Sequence, residues 1–224
     1  MSHVLDKPIW SALETRQAAF RSDDGIARRF PVDVSPFVAA RDGSPEAVAG
    51  LLKLIPNGDD VSFLEVAPPK APAGVTGTEA MCFQMTVTAF ARTARDVGAQ
   101  PLGEEDAAEM LELALLTRPG PFRKRTHTLG RFIGVHEGGK LVAMAGERLC
   151  VPGYREISAV CTRPDWQGRG LGGALLQQVG ERIMREGDTP FLHTYTHNAP
   201  AVALYTKLGF GVRAEIVHAV WRRV

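Results

Sequence analysis

An α/β protein built on a mixed sheet is predicted by three observations. Strand-like and helical runs alternate through the second half of the chain, one helix opens directly out of a strand through a glycine-dense turn, and the composition is that of a packed globule. Hydrophobic residues make up 45% and charged residues 23% of the 224, which suits one large domain or two small ones and argues against a disordered or fibrous chain. Lys plus Arg number 26 and Asp plus Glu 25, so the net charge of +1 sets up no global field for nucleic acid or an anionic membrane. Cys82, Cys150 and Cys161 are an odd number without metal-type spacing and read as free thiols in a reducing compartment, with no disulfide framework and no metal site. The N-terminus lacks a basic start followed by a long apolar run, and no stretch nears the roughly 20 apolar residues of a membrane span; a cytoplasmic protein is expected.

Taken in order, SPEAVAGLLKLI predicts a helix with Ser44 as cap and Pro45 in its first turn, stopped by Pro56-Asn57-Gly58. VSFLEV and MCFQMTV read as strands on either side of PPKAPAGVTGTEA, a breaker-rich stretch that is either a hairpin or a seam. After the polar run ARDVGAQPLG, the acids Glu104, Glu105 and Asp106 suit the positive end of a helix carrying Met110, Leu111, Ala114 and Leu115, of which Met110, Leu111 and Leu115 read as core. The composition places a boundary at residue 88, between an N-terminal domain (1–88) and a C-terminal domain (89–224). RFIGV, KLVAMAGERL and REISAVCT then read as strands, and Leu171 to Arg185 as a helix with Leu171, Leu175, Val179 and Ile183 on one face. FLHTY is a further strand, Asn198 to Leu208 a shorter helix closed by Gly209, and VRAEIVHAVW a terminal strand.

The stretch that carries chemistry is ISAVCTRPDWQGRGLGG, residues 157–173, where a strand runs through Pro164 into Gly168, Gly170, Gly172 and Gly173 at the mouth of a helix. Glycines let a ligand approach the backbone, and free amides at a helix N-terminus suit a phosphate or pyrophosphate; simple chain reversal is the plainer use of such a turn. The Gly-Lys-Ser/Thr of a P-loop is absent, and the strand comes too late for the usual dinucleotide fingerprint.

Gln167-x-x-Gly170-x-Gly172 after EISAVCT resembles the Q/R-x-x-G-x-G/A signature of the GNAT N-acetyltransferases. NAPAVALYTKLGF, with Asn198, Ala201, Leu204, Tyr205, Gly209 and Phe210, resembles that superfamily's second signature, and together the two span roughly residues 100–224. TRPGPF and AVCTRP are similar to the C-terminal part of glycine N-acyltransferases, a branch whose N-terminal half is often a degenerate copy of the same fold; residues 1–85 carry no glycine signature of the first type. The resemblance implies a mixed, mostly antiparallel sheet flanked by helices, acetyl-CoA as cosubstrate without a metal, and acetyl transfer to a primary amine by direct attack in a ternary complex. It implies that the backbone of Val160, Cys161 and Thr162 pairs with the pantetheine amides, and that Gly168, Arg169, Gly170, Leu171, Gly172 and Gly173 present amides to the pyrophosphate, with Arg169 adding charge. Gln167 is the signature side chain or a brace of the turn, and Asn198 combines a helix cap with a cofactor contact. The acceptor is a small-molecule amine, an amino acid or a peptide, with no nucleic acid and no membrane, and a homodimer is allowed. A non-catalytic acyl-CoA sensor is the competing class.

For proton transfer the same resemblance points to two residues. Glu156 lies eleven residues before Gln167, the spacing of the catalytic glutamate in histone-type members, and is expected to act as base with a pKa raised by a partly closed apolar cleft; a structural carboxylate paired to Arg155 or another cation is the alternative. Tyr205, seven residues after Asn198, matches the tyrosine that protonates the CoA thiolate, or is a packed aromatic. His193 and His197 flank a strand and receive no role. Cys161 is expected to be a small buried residue and not a nucleophile. Arg123, Lys124 and Arg125 are a solvated loop or the border of a site for an acidic acceptor.

Overall fold

The computed structural model describes every residue except 1, 2, 24, 56, 57, 92 and 224, and the backbone alone at 23. Helix α1 (Pro8–Glu14) starts on a proline at its first position and buries Ile9, Ala12 and Leu13. Strands β1 (Ser22–Asp23), β2 (Ala27–Arg29) and β3 (Val38–Ala40) form a small antiparallel sheet in that order. Helix α2 (Pro45–Leu54) is capped as its sequence predicts, the Ser44 hydroxyl accepting from the Ala47 amide. Pro56 and Asn57, read as its stop, lie outside the described residues.

The main sheet contains β4 (Asp60–Glu65), β5 (Val75–Thr86), β6 (Gln100–Leu102), β7 (Phe132–Glu137), β8 (Lys140–Val151), β9 (Tyr154–Thr162), β10 (Thr189–Tyr195) and β11 (Gly211–Arg223). Its order is β4-β11-β5-β10-β9-β8-β7-β6, and every pairing is antiparallel except β9 with β10. Three helices complete the chain: α3 (Ala107–Thr117), entered through a 3₁₀ turn over Glu104–Asp106, α4 (Leu171–Arg185) and α5 (Ala199–Leu208).

The alternation of side chains along strands divides the core between the sheet's two faces. Leu175, Leu176, Val179 and Ile183 of α4 pack with Met85, Ile157 and Leu192 on one face. On the other, Leu5, Ile9 and Leu13 pack with Leu64, Leu149 and Phe191, so the N-terminal segment roofs the sheet. Met110, Leu113 and Ala114 of α3 are buried beside Ala159 and Cys161.

Three expectations are corrected. β4 and β5 are not a hairpin, because β11 lies between them. The boundary at residue 88 does not divide the sheet, since β5 pairs with both β10 and β11 from the C-terminal part. Leu115 is 65% exposed, because the buried face of α3 runs through residues 110, 113 and 114 and turns 115 outward. Among the described residues no helix is long and apolar enough to cross a membrane, and no group of three His, Cys, Asp or Glu is placed to hold a metal ion.

Candidate active site

The parallel pairing between strands of the main sheet is short. Tyr154, Arg155 and Glu156 of β9 pair with Thr189, Pro190 and Phe191 of β10, after which both strands continue without pairing each other. β9 is irregular where it leaves: its register against β8 slips between Met144 and Gly146, and Ala159 takes a left-handed conformation at φ 52. The opening is a cavity of about 610 Å³ that reaches from the N-terminus of α4 to the roofed face of the sheet.

At one end stands the glycine turn. Gly168 and Gly170 have φ 77 and 76, a region that favours glycine, and Gly170 is the N-cap of α4 with no side chain capping its amides. Gly168 and Gly172 line the large cavity together with Val160, Cys161 and Thr162, and Gly170, Leu171 and Gly173 line an adjoining one of about 550 Å³. The Gln167 side chain donates to the Thr162 carbonyl at 3.4 Å, bracing the turn against β9. The Arg169 guanidinium stacks over Trp166 at 4.1 Å. Arg95, which carries no motif signal, lines the second cavity and donates to the Arg169 carbonyl at 2.8 Å. Asn198 caps α5 by accepting from the Ala201 amide at 3.3 Å and lines the large cavity, as does Tyr205, whose pKa burial raises. Burial also pushes the Cys161 thiol up to about 11, so it is held as a thiol.

At the other end a polar row crosses the sheet. Paired strands present opposed residues to the same face, which brings Glu156, His193, Tyr195, Cys82, Gln84 and His218 together beneath the N-terminal roof. Glu156 is fully buried. Its carboxylate accepts from Arg148 Nε at 2.8 Å and Nη2 at 2.6 Å, from His193 Nδ1 at 2.7 Å and from the Leu149 amide at 3.3 Å. Burial alone would raise its pKa, but the Arg148 charge and the hydrogen bonds from Arg148 and His193 outweigh burial and hold it down at about 2. The expectation of a raised pKa is therefore reversed: this carboxylate is a fixed anion, committed on every side.

His193 is committed as well. The Gln84 amide nitrogen donates to the Leu5 carbonyl at 2.9 Å and contacts His193 Nε2 at 3.0 Å, while Gln84 Oε1 accepts from Arg213 Nε at 2.5 Å. With the amide oriented by Arg213, His193 Nε2 accepts and Nδ1 donates to Glu156. Arg213 in turn pairs with Asp6 at 2.8 Å, so the network ends in the N-terminal segment. Beside it, Tyr195 Oη lies 2.9 Å from His218 Nδ1, and burial, with the charge of Arg148, lowers the His218 pKa to about 4.

The basic run after Pro121 is occupied elsewhere: Arg123 pairs with Asp59 at 2.7 Å and Arg125 with Asp33 at 3.3 Å. The cavity instead meets Arg148 and Arg118, and among the described residues no Asp or Glu lines it. Arg148 carried no signal of its own within KLVAMAGERL; only the pairing of β8 with β9 brings it to Glu156.

The chain is similar to known proteins. A family profile described as FR47-like protein matches residues 132–221. A solved structure of a protein assigned to the GNAT-family acetyltransferases, from Novosphingobium aromaticivorans, is 37% identical, covers 100% of both chains and superposes with a TM-score of 0.93. A GCN5-related N-acetyltransferase from Kribbella flavida, 16% identical over 98% of this chain and 96% of its own, shares the fold with a TM-score of 0.67. A mycothiol acetyltransferase of Corynebacterium aurimucosum is 38% identical over 73 residues, 32% of this chain and 23% of that protein, so the chain spans about a quarter of that relative's length. An N-alpha-acetyltransferase RimI of Mycobacterium tuberculosis is 29% identical over 51% of this chain and 77% of its own.

Proposed function

The chain belongs to the GNAT family of acetyl-CoA-dependent N-acetyltransferases, and from that premise we propose that it passes the acetyl group to a primary amine by direct attack in a ternary complex. The observation that carries this reading is the wedge between β9 and β10, which joins an uncapped helix N-terminus at one end to a walled polar chamber at the other. The exposed edge of β9 at Val160–Thr162 pairs with the pantetheine amides, and the amides at the start of α4 take the pyrophosphate, with Arg95 as an added cation.

In the transfer, the amine nitrogen bonds to the thioester carbonyl carbon and the carbon–sulfur bond breaks. Tyr205, which holds its proton at neutral pH, protonates the departing thiolate. Glu156 anchors Arg148 and His193 and is not itself the base, because a carboxylate held near 2 has little affinity for a proton at neutral pH. The amine enters uncharged, and the nitrogen proton made acidic by attack leaves to solvent.

The test is an amine panel incubated with acetyl-CoA and followed by release of free thiol. Acceptor-dependent release, with an acetylated product confirmed by mass, supports the proposal. Release that ignores every amine added would overturn it.

A further inference from the structure

Resting on the transferase reading above, we infer that the acceptor is an amine carrying its own oxyanion, a carboxylate, sulfonate or phosphate, held between Arg148 and Arg118 at the roofed end of the cavity. Arg148 is 7% exposed and spends Nε and Nη2 on Glu156, leaving Nη1 without a hydrogen bond among the described residues. That Nη1 lies beneath Gly120, 3.9 Å from where a side chain at this glycine would begin. The loop carrying Gly120 also carries Arg118, the left-handed C-cap of α3 at φ 49, whose guanidinium forms no ion pair among the described residues. Both arginines line the one cavity.

Glu156 compensates the Arg148 charge and the Phe37 ring stacks on its guanidinium at 4.7 Å, so what Arg148 offers the cavity is the donor Nη1. Glu156 is sealed from the cavity against Arg148, and the neighbouring His193, His218, Tyr195 and Cys82 bring no anion that could pair with Arg118. A cationic acceptor such as a diamine would meet two guanidiniums and no carboxylate. An anionic one supplies an acceptor for the unused Nη1 of Arg148 and a counter-charge for Arg118. The Arg118 charge favours the uncharged form of an amine beside it, the form that attacks.

The experiment compares matched triplets of acceptors: an amine bearing a carboxylate, sulfonate or phosphate, its neutral carboxamide or alcohol counterpart, and a diamine of equal length. Thiol release is read as kcat/KM for the uncharged amine. The oxyanion members should exceed their neutral counterparts by about tenfold or more, the worth of one charge-assisted hydrogen bond, with diamines poorest; the three oxyanions distinguish which anion is preferred. Arg118→Gly, which suits the left-handed position and preserves the fold, should cut that ratio at least about fivefold, and Arg118→Glu should invert it. Equal rates across a triplet, a preference for diamines, or an unchanged ratio in both Arg118 variants would overturn the inference while leaving the transferase reading intact. Absence of turnover with any amine would overturn that reading and take this one with it.

Discussion

At the scale of single residues, the chamber is governed by what neutralises what. Glu156 was legible as a strand carboxylate at a telling distance from the glycine turn, but its partner Arg148 was not, because their meeting depends on the pairing of β8 with β9. Removing the carboxylate strands a buried guanidinium, so Glu156→Gln should destabilise the fold by about 3–5 kcal/mol, measured by urea unfolding at pH 7. Because the folded-state pKa of about 2 lies below the ordinary 4.5, the unfolded chain binds more protons between them. The stabilisation is complete above about pH 4.5 and is lost as pH falls toward 2, a loss that Glu156→Gln should no longer show; an unchanged acid transition would contradict the pairing. His218 works in the same sense, since its folded pKa near 4 lies below 6.5, so that protonation of the unfolded chain erodes stability as pH falls through this window. For catalysis, Glu156 stays anionic and His218 neutral from about pH 5 upward. The rising limb of kcat/KM should therefore track the acceptor's own pKa, moving between a weakly and a strongly basic amine; a midpoint common to both would mean that a protein group takes the proton.

At the scale of elements, the glycine turn and α4 were the most legible part of the molecule, because a fifteen-residue amphipathic helix and a run of glycines announce themselves without tertiary context. The glycines nonetheless differ in what they do. Gly170 needs its left-handed φ, whereas Gly172 has an ordinary φ and a first side-chain carbon would rest 3.4 Å from Thr162 Oγ1, in normal contact. Gly172→Val should therefore remain folded, with a melting temperature close to that of the parent chain, and yet fill the approach to the α4 amides. Calorimetry should show loss of CoA binding in this variant, and retained affinity in a folded Gly172→Val protein would remove the turn from the cofactor site. α1 and the small sheet carried no such signal: strands of two or three residues cannot display a period, and seven residues of helix barely do. Leu115 shows the opposite error, in which an apolar residue at plausible spacing stands one step off the buried stripe.

At the scale of the whole molecule, the chain divides differently in sequence and in space. Residues 68–80 read as a hairpin turn or a seam because they are rich in breakers and small residues, yet from Val75 they are already strand, paired with the end of β11. Pairing between segments more than a hundred residues apart leaves no local periodicity, which is why a boundary at residue 88 was natural and the inserted strand was not. The insertion joins fold to site: β5 separates β10 from β11, contributes Cys82 to the cavity wall, and carries the Gln84 that orients His193. A fragment of residues 89–224 would keep both glycine-turn and α5 signatures while leaving β10 and β11 with open edges and the chamber without its roof. It should show no cooperative thermal transition and no CoA binding, and addition of a separately made 1–88 fragment should restore both by supplying the missing strand. Should residues 89–224 alone unfold cooperatively and bind CoA, the N-terminal part would be an appendage and not a structural member of the acetyltransferase sheet.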